Sequence, residues 1–399
     1  MKSTFVFFLI LMTYFLAAQK NTSPEIRIES WNALESKTLS SDFFSSFYFG
    51  EYIDSSSKWN EIEHLKEKNH IGFFSNHRIE VMLPSEKKHS LYFSGSHQSL
   101  LGAGFSKDLF QLVFTGNNSL IGQHVITNPA TMNQYSFSTL SAGIAWQIND
   151  DMKIHAAAGP VVLYSFSRLD FSESDFFTSL SADSLSLNLD GHYMRAGGNT
   201  FIKGSGFGAE LGIEGTNNNF EWRVTLSNIG QIWMNKRTID SQHDTLLFFT
   251  GVEISDLSNF SAVIDEELDN FEESFSLKGD TANTSISLPM LITGECRAEF
   301  GKLRTDLNIL YYNLPGFIPF VQIRPSWPLT EGIRISLPIK YGGYGSFNAG
   351  PGLEFKIFEK LSAQLDFPAA LSVLNINRNL SYVVVGRITY KITEHASLL

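Results

Sequence analysis

The chain has 399 residues, 43% hydrophobic, 13% aromatic and 18% charged, which allows a large folded core and argues against a disordered tail protein. Its single cysteine, Cys296, excludes an internal disulfide framework, a Cys-based zinc site and a haem-attachment pair. A formal charge of -11 argues against nucleic acid as a partner, because that binding needs Lys and Arg to neutralise phosphates.

Lys2, the apolar run Phe5 to Leu16 and then Ala17-Ala18-Gln19 have the positive, apolar and small-residue order of a secretory signal peptide, expected to be cleaved after Ala18. The run is about twelve residues, too short for a helix that needs roughly 20 to cross a bilayer. No Cys follows it, so a lipid-modified N-terminus is not expected. Nothing downstream gives 18 consecutive apolar residues, which leaves the exported chain either soluble or a barrel. Residues 19–69, with the aromatic cluster Phe43, Phe44, Phe47, Tyr48, Phe49 and Tyr52, are expected as a periplasmic extension or a plug, ahead of a barrel over 70–399.

Period-2 alternation dominates the C-terminal half, and it places successive side chains on opposite sheet faces. Tyr382, Val384, Ile388, Tyr390 and Ile392 oppose Ser381, Arg387, Thr389 and Lys391; Ile333, Ile335, Leu337, Ile339 and Tyr341 oppose Arg334, Ser336 and Lys340. Strands expected at 71–83, 89–105, 109–116, 135–148, 152–166, 202–214, 220–229, 285–300, 302–312, 317–327, 331–341, 346–357, 360–370 and 381–392 make about fourteen. Short turns such as Asn149-Asp150-Asp151, Gly301 and Phe358-Glu359 alternate with long connections at 117–134, 167–201, 230–284 and 371–380. A sandwich would also alternate, but short turns at one end and long loops at the other fit an outer-membrane barrel, with the short side periplasmic and both termini on it. Within the loops, 184–194 and 244–252 are expected as hairpin extensions. Asp256 to Glu273, with Leu257, Phe260, Ile264, Leu268 and Phe271 at helical spacing, is expected as an acidic amphipathic helix folded over or into the mouth, the alternative being a solvated acidic loop.

Phe110 to Pro129, with Gly116-Asn117-Asn118, Ile121-Gly122-Gln123 and Thr127-Asn128-Pro129, resembles a family of exported Bacteroidota proteins of unassigned function. Further matches follow in order: Leu226-Ser227-Asn228-Ile229-Gly230 before Trp233, Phe249-Thr250-Gly251-Val252-Glu253, Ser287-Leu288-Pro289 and Asn348-Ala349-Gly350-Pro351-Gly352. The resemblance implies an outer-membrane barrel similar in architecture to the fatty-acid transporter type, with no catalytic residue. The ending Leu398-Leu399 departs from the aromatic end common in such proteins.

The chemistry is otherwise sparse. There is no G-x-S-x-G, Walker loop or H-E-x-x-H, and no cofactor is expected. Gly204-Ser205-Gly206-Phe207-Gly208 lacks dinucleotide-binding spacing and suits close packing in a barrel wall. His97 and Ser99 share a strand face, as the His and Ser of outer-membrane phospholipases do, but Leu100-Leu101 stand where those enzymes have Asn-Gly; two polar side chains on a strand is the plainer account. His64, His70 and His77 fit neither one helix face nor one strand face, so no metal site is expected.

The strongest constellation is the charged strand faces. Glu221, Arg223, Glu295, Arg297, Glu299, Arg304, Asp306, Arg334, Lys340, Glu354, Lys356, Asp366, Arg387 and Lys391 are the lumen-lining candidates. They are nearly balanced in sign, so they can pair across the wall and seal it, or form a polar path with an electrostatic constriction. The expected protein is therefore an all-β, transmembrane antiparallel barrel of the outer membrane, in contact with lipid, with long extracellular loops. Its expected function is passage or capture of a small, hydrophobic molecule; the alternative is a sealed structural or interaction barrel whose loops bind partners. An enzyme is not expected.

Overall fold

In the computed structural model, residues 24–84, 88–217, 220–249, 280–282, 284–358, 360–374, 376 and 378–391 are described. The signal peptide expected at 1–18 and the helix expected at 256–273 lie outside them. No helix among the described residues is long and apolar enough to cross a membrane, which says nothing of strands.

The chain closes into one antiparallel ring of 14 strands. In order round the ring these are β1 (Glu25–Ser40), β2 (Lys68–Pro84), β3 (His89–Ser106), β5 (Ala130–Asn149), β6 (Met152–Thr178), β8 (Gly204–Asn217), β9 (Phe220–Met234), β13 (Leu291–Phe300), β14 (Leu303–Tyr312), β15 (Ile318–Thr330), the broken strand β16 (Ile333–Ser336) and β17 (Ile339–Gly343), its neighbour β18 (Asn348–Ala349) and β19 (Gly352–Phe358), β20 (Leu361–Asp366) and β21 (Asn379–Lys391). β21 pairs with β1, from Glu25 opposite Lys391 to Ser40 opposite Asn379, and this pairing closes the cylinder. Closure leaves no sheet edge, so every wall strand finds backbone partners on both sides without water.

Alternation sorts the wall into two faces. On β21, Val383 and Val385 are buried inside, whereas Tyr382, Val384, Ile388 and Tyr390 are exposed outside. Ile28, Ile79, Ile144, Val224, Ile323, Ile335, Leu353 and Leu365 continue that apolar exterior on other strands. Inside, a core of buried side chains that includes Trp31, Phe74, Leu100, Phe137, Tyr312, Phe320 and Tyr344 fills part of the barrel.

Two expectations change. Residues 25–40, expected within an extension or plug, form the wall strand β1, so the barrel begins at Glu25 rather than near residue 70. Residues 109–116, expected as a strand, belong to helix α3 (Lys107–Thr115). The Ser106 hydroxyl caps its first turn by accepting from the Leu109 amide at 3.0 Å, and Gly116, at φ 75°, ends it. Phe110 and Phe114, one turn apart, pack in a small cluster with Phe43 of helix α1 (Ser41–Tyr48), Ile62 of α2 (Ser55–His64) and Ile71 and Phe105 of the wall. Ile71 and Phe105 belong to the outward rows of β2 and β3. The three helices therefore sit against the outside of the wall at its long-loop end and do not plug the lumen.

The loop strands expected at 184–194 and 244–252 form over the described residues, with 250–252 lying outside them. β7 (Leu185–Arg195) pairs with the end of β6 and with β10 (Thr238–Phe249), extending the sheet beyond the ring, and the short strands β4 (His124–Ile126), β11 (Asp280–Ala282) and β12 (Ser285–Ser287) add to β6, β10 and β9.

Candidate functional site

The inward face of the short-turn half carries the charged side chains, and most of them meet partners from distant strands. Arg27 Nη1 on β1 donates to Glu295 Oε2 on β13 at 3.2 Å, across the diameter of the ring. Arg387 Nη2 on β21 donates to the other oxygen of Glu295 at 2.8 Å. Arg223 reaches from β9 to Glu80 on β2 at 2.6 Å, and Arg78 reaches from β2 to Glu210 on β8 at 2.6 Å.

A second group lies nearer β14 to β20. Arg324, fully buried, donates to Asp366 at 3.0 Å, Asp306 at 3.1 Å and Glu354 at 3.3 Å. Arg304 also pairs with Glu354, and Arg297 donates to Asp306 at 2.8 Å. Apart from these, nearer the long loops and level with Gly72, Lys340 is paired with Glu35 of β1, whose carboxylate also accepts from Ser381 at 2.8 Å. Charges taken this far out of water persist only when paired and hydrogen-bonded.

Above this ionic layer, towards the long loops, lies a neutral polar one. Gln98 of β3 exchanges hydrogen bonds with Asn228 of β9 and accepts from the Tyr312 hydroxyl at 3.2 Å. Asn228 has φ 62° and also donates to the Pro289 carbonyl at 2.9 Å, filling the gap where β13 leaves β9. Higher still, Phe74 meets Tyr312 at 6.1 Å and Phe317 at 5.7 Å between ring centroids, again from opposite walls. Tyr344 folds over them into a notch formed by Gly72 and Gly102, where any added Cβ would overlap its ring or hydroxyl.

Below the ionic layer the lumen opens towards the short turns. One cavity of about 300 Å³ is lined by Glu25, Arg27, Asp150, Asp151, Glu214, Glu221 and Arg223 among others. A neighbouring one of about 430 Å³ is strongly basic, with Arg297, Arg304, Arg334, Lys356, Lys360, Arg387 and Lys391 against Glu331 and Glu354.

Of the sequence candidates, the structure brings Arg223, Glu295, Arg297, Arg304, Asp306, Lys340, Glu354, Asp366 and Arg387 into the paired layers. Glu221, 3.5 Å from Arg297, stands at the rim, and Arg334, Lys356 and Lys391 line the basic cavity. Glu299 is exposed near the turn to β14 and enters none of these ion pairs. Sequence reasoning missed Arg27, Glu29, Glu35, Arg78, Glu80, Glu210 and Arg324. Arg324 was legible: Phe320, Gln322, Arg324 and Ser326 alternate on one face and all are buried.

His97 and Ser99 face outward, with Ser99 Oγ 3.5 Å from His97 Nε2. The strand amides around them are in unbroken register with β2 and β5, which leaves no obvious backbone donor for an oxyanion. His64 Nδ1 contacts the Asn60 carbonyl at 2.7 Å, and His70 packs against Gly316. Among the described residues no group of three or more His, Cys, Asp or Glu is placed to hold a metal.

A model of a family of unknown function, DUF5723, matches residues 30–360. The chain belongs to this family. Its span takes in all of the motifs on which the sequence resemblance rested. No curated protein matches the sequence. Among solved structures, the Pseudomonas putida toluene transporter TodX aligns over 95% of this chain and 92% of its own at 10% identity, with a TM-score of 0.39. A Pseudomonas aeruginosa FadL homologue aligns over 94% and 91% at 8% identity and 0.38, and the translocator domain of the Neisseria meningitidis autotransporter NalP over 98% and 97% at 7% and 0.28. None of these likenesses is close enough to carry a function across.

Proposed function

We propose that this protein is an outer-membrane barrel that captures or passes a small molecule through a lumen closed at rest. The observation that carries the reading is the layering of the interior. Two charged cavities lead from the short-turn end to an ionic layer, a neutral polar layer follows, and a largely apolar layer that holds the buried Lys340–Glu35 pair faces the long loops. A molecule with a polar end and an apolar body would find matching surroundings at each level. Passage requires the Arg27, Glu295 and Arg387 contacts and the Phe74, Tyr312 and Tyr344 packing to part in turn. The exposed apolar exterior supports a bilayer as the solvent of the wall.

A second reading, a sealed barrel acting through its surfaces, is favoured by those same contacts between opposite walls. Single-channel recording with solute uptake into liposomes separates the two. The transport reading expects little steady current from the wild type and increased uptake when Arg27, Arg387 and Phe74 are together replaced by Ala. A triple variant that folds yet remains as impermeable as the wild type favours the sealed barrel.

A further inference from the structure

The lipid-facing side of strands β1, β2, β3 and β5 carries a polar panel that the lumen does not use. Ser30, His77, His97 and Ser138 lie directly opposite one another across these four strands, forming one row. One step further along, Asn32, Ser75, Ser99 and Ser136 form a second. Both rows point away from the lumen, because the alternate residues Trp31, Phe74, Gln98 and Phe137 are buried inside. Apolar outward residues flank the rows along the strands: Ile28, Ile79 and Leu140 on the short-turn side, Leu34, Phe73 and Leu101 on the other.

The panel is built, not scattered. His77 Nδ1 contacts Ser30 Oγ and its Nε2 contacts Ser75 Oγ, each at 2.9 Å, while Ser75 donates to Asn32 at 2.8 Å. His97 Nδ1 contacts Ser138 Oγ at 3.0 Å, and Ser99 contacts Ser136 at 3.2 Å. These bonds hold the groups in place, but the two imidazoles remain exposed. Acyl chains offer them no hydrogen bonds, so covering the panel with protein is favourable.

We propose that this panel is where a second copy of the chain docks within the membrane. Three observations select that occupant. The panel holds no carboxylate, Lys or Arg, so no partner of opposite charge is called for; its hydroxyl, amide and imidazole groups both donate and accept, which makes the surface complementary to itself. Gly95 and Gly386 lie on the same outward face and, with the serines, keep side chains short, so two walls can approach closely. The β1–β2, β2–β3 and β3–β5 pairings run without a register shift, and the bulge where β5 meets β6 at Ser136 and Phe137 is backed inside by buried Phe137 and Leu163, so packed core rather than a lateral route to the lumen lies behind the panel.

The test is Förster transfer between donor- and acceptor-labelled full chains in lipid bilayers at falling protein-to-lipid ratio. The proposal expects self-association of the wild type, weakened at least about tenfold by His77→Leu with His97→Leu. Ser136→Trp is expected to block approach by bulk while leaving the two histidines in place, so it serves if the double variant folds poorly. Ile335→Ala on the far wall should change nothing. A wild type that stays monomeric at every ratio overturns the proposal, as does self-association unaltered in a folded His77→Leu/His97→Leu or Ser136→Trp chain.

Discussion

Arg27 and Glu295 stand on strands half-way round the ring from each other, yet their side chains meet at 3.2 Å. A wide aqueous pore would keep such residues well apart. Here Arg387 joins them from β21, and the same carboxylate ties three strands together. The interior is a packed layer at this level, and its stability rests on pairing.

Arg324 is the point where that pairing is densest. Replacing it with Met leaves Asp306, Glu354 and Asp366 close together without their shared cation. The expected loss is about 3–5 kcal/mol, read as a lower denaturant midpoint in detergent, because an unpaired buried charge costs more than the pair gains. Replacing exposed Glu299 with Gln should move the midpoint by less than about 0.5 kcal/mol.

Lys340 and Glu35 form a simpler case. Lys340→Met alone strands the Glu35 carboxylate, and Glu35→Gln alone strands the ammonium; each is expected to cost about 3–5 kcal/mol. The double variant should cost less than either single one, which requires a coupling in the double-mutant cycle larger than one single loss, above about 3 kcal/mol. Additive losses would show that the two groups do not act as a pair.

Tyr344 and its glycine notch separate two steric effects. The Tyr344 hydroxyl is buried with no hydrogen-bond partner among the described residues, so Tyr344→Phe is expected to be neutral or slightly stabilising. A methyl at residue 102 would meet that hydroxyl, whereas one at residue 72 would meet the ring. Gly102→Ala should therefore cost about 1–3 kcal/mol and be largely rescued by Tyr344→Phe, while Gly72→Ala should cost as much and not be rescued. Thermal unfolding of the three single variants and the two double variants with Tyr344→Phe checks this.

The strand count of 14 was legible, but through two errors that cancel: α3 was read as a strand and β1 was missed. Leu109 to Phe114 is apolar enough to fit either period, and only the Ser106 cap and the wall contacts of Phe110 decide for helix. β1 was hidden by the polar panel, since Ser30 and Asn32 interrupt the apolar row that Ile26, Ile28 and Leu34 would otherwise announce. Alternation from β9 onwards was clean because the outward row is apolar and the inward row carries the charge. It could name lumen-facing charges strand by strand, but not that Arg223 pairs with Glu80 or Arg27 with Glu295. Those contacts depend on the diameter of the closed ring, which no local pattern encodes.

Collision accessibility of spin labels along β21 tests the central claim most directly. Labels are placed one at a time at Tyr382, Val383, Val384, Val385 and Ile388, in a Cys296→Ser chain reconstituted in lipid. Oxygen, which concentrates among acyl chains, is expected to reach 382, 384 and 388, and a water-soluble nickel chelate is not. Positions 383 and 385 should be shielded from both. Ready access of the nickel chelate to 384 and 388, or loss of the two-residue alternation, would contradict a lipid-facing wall around a closed interior.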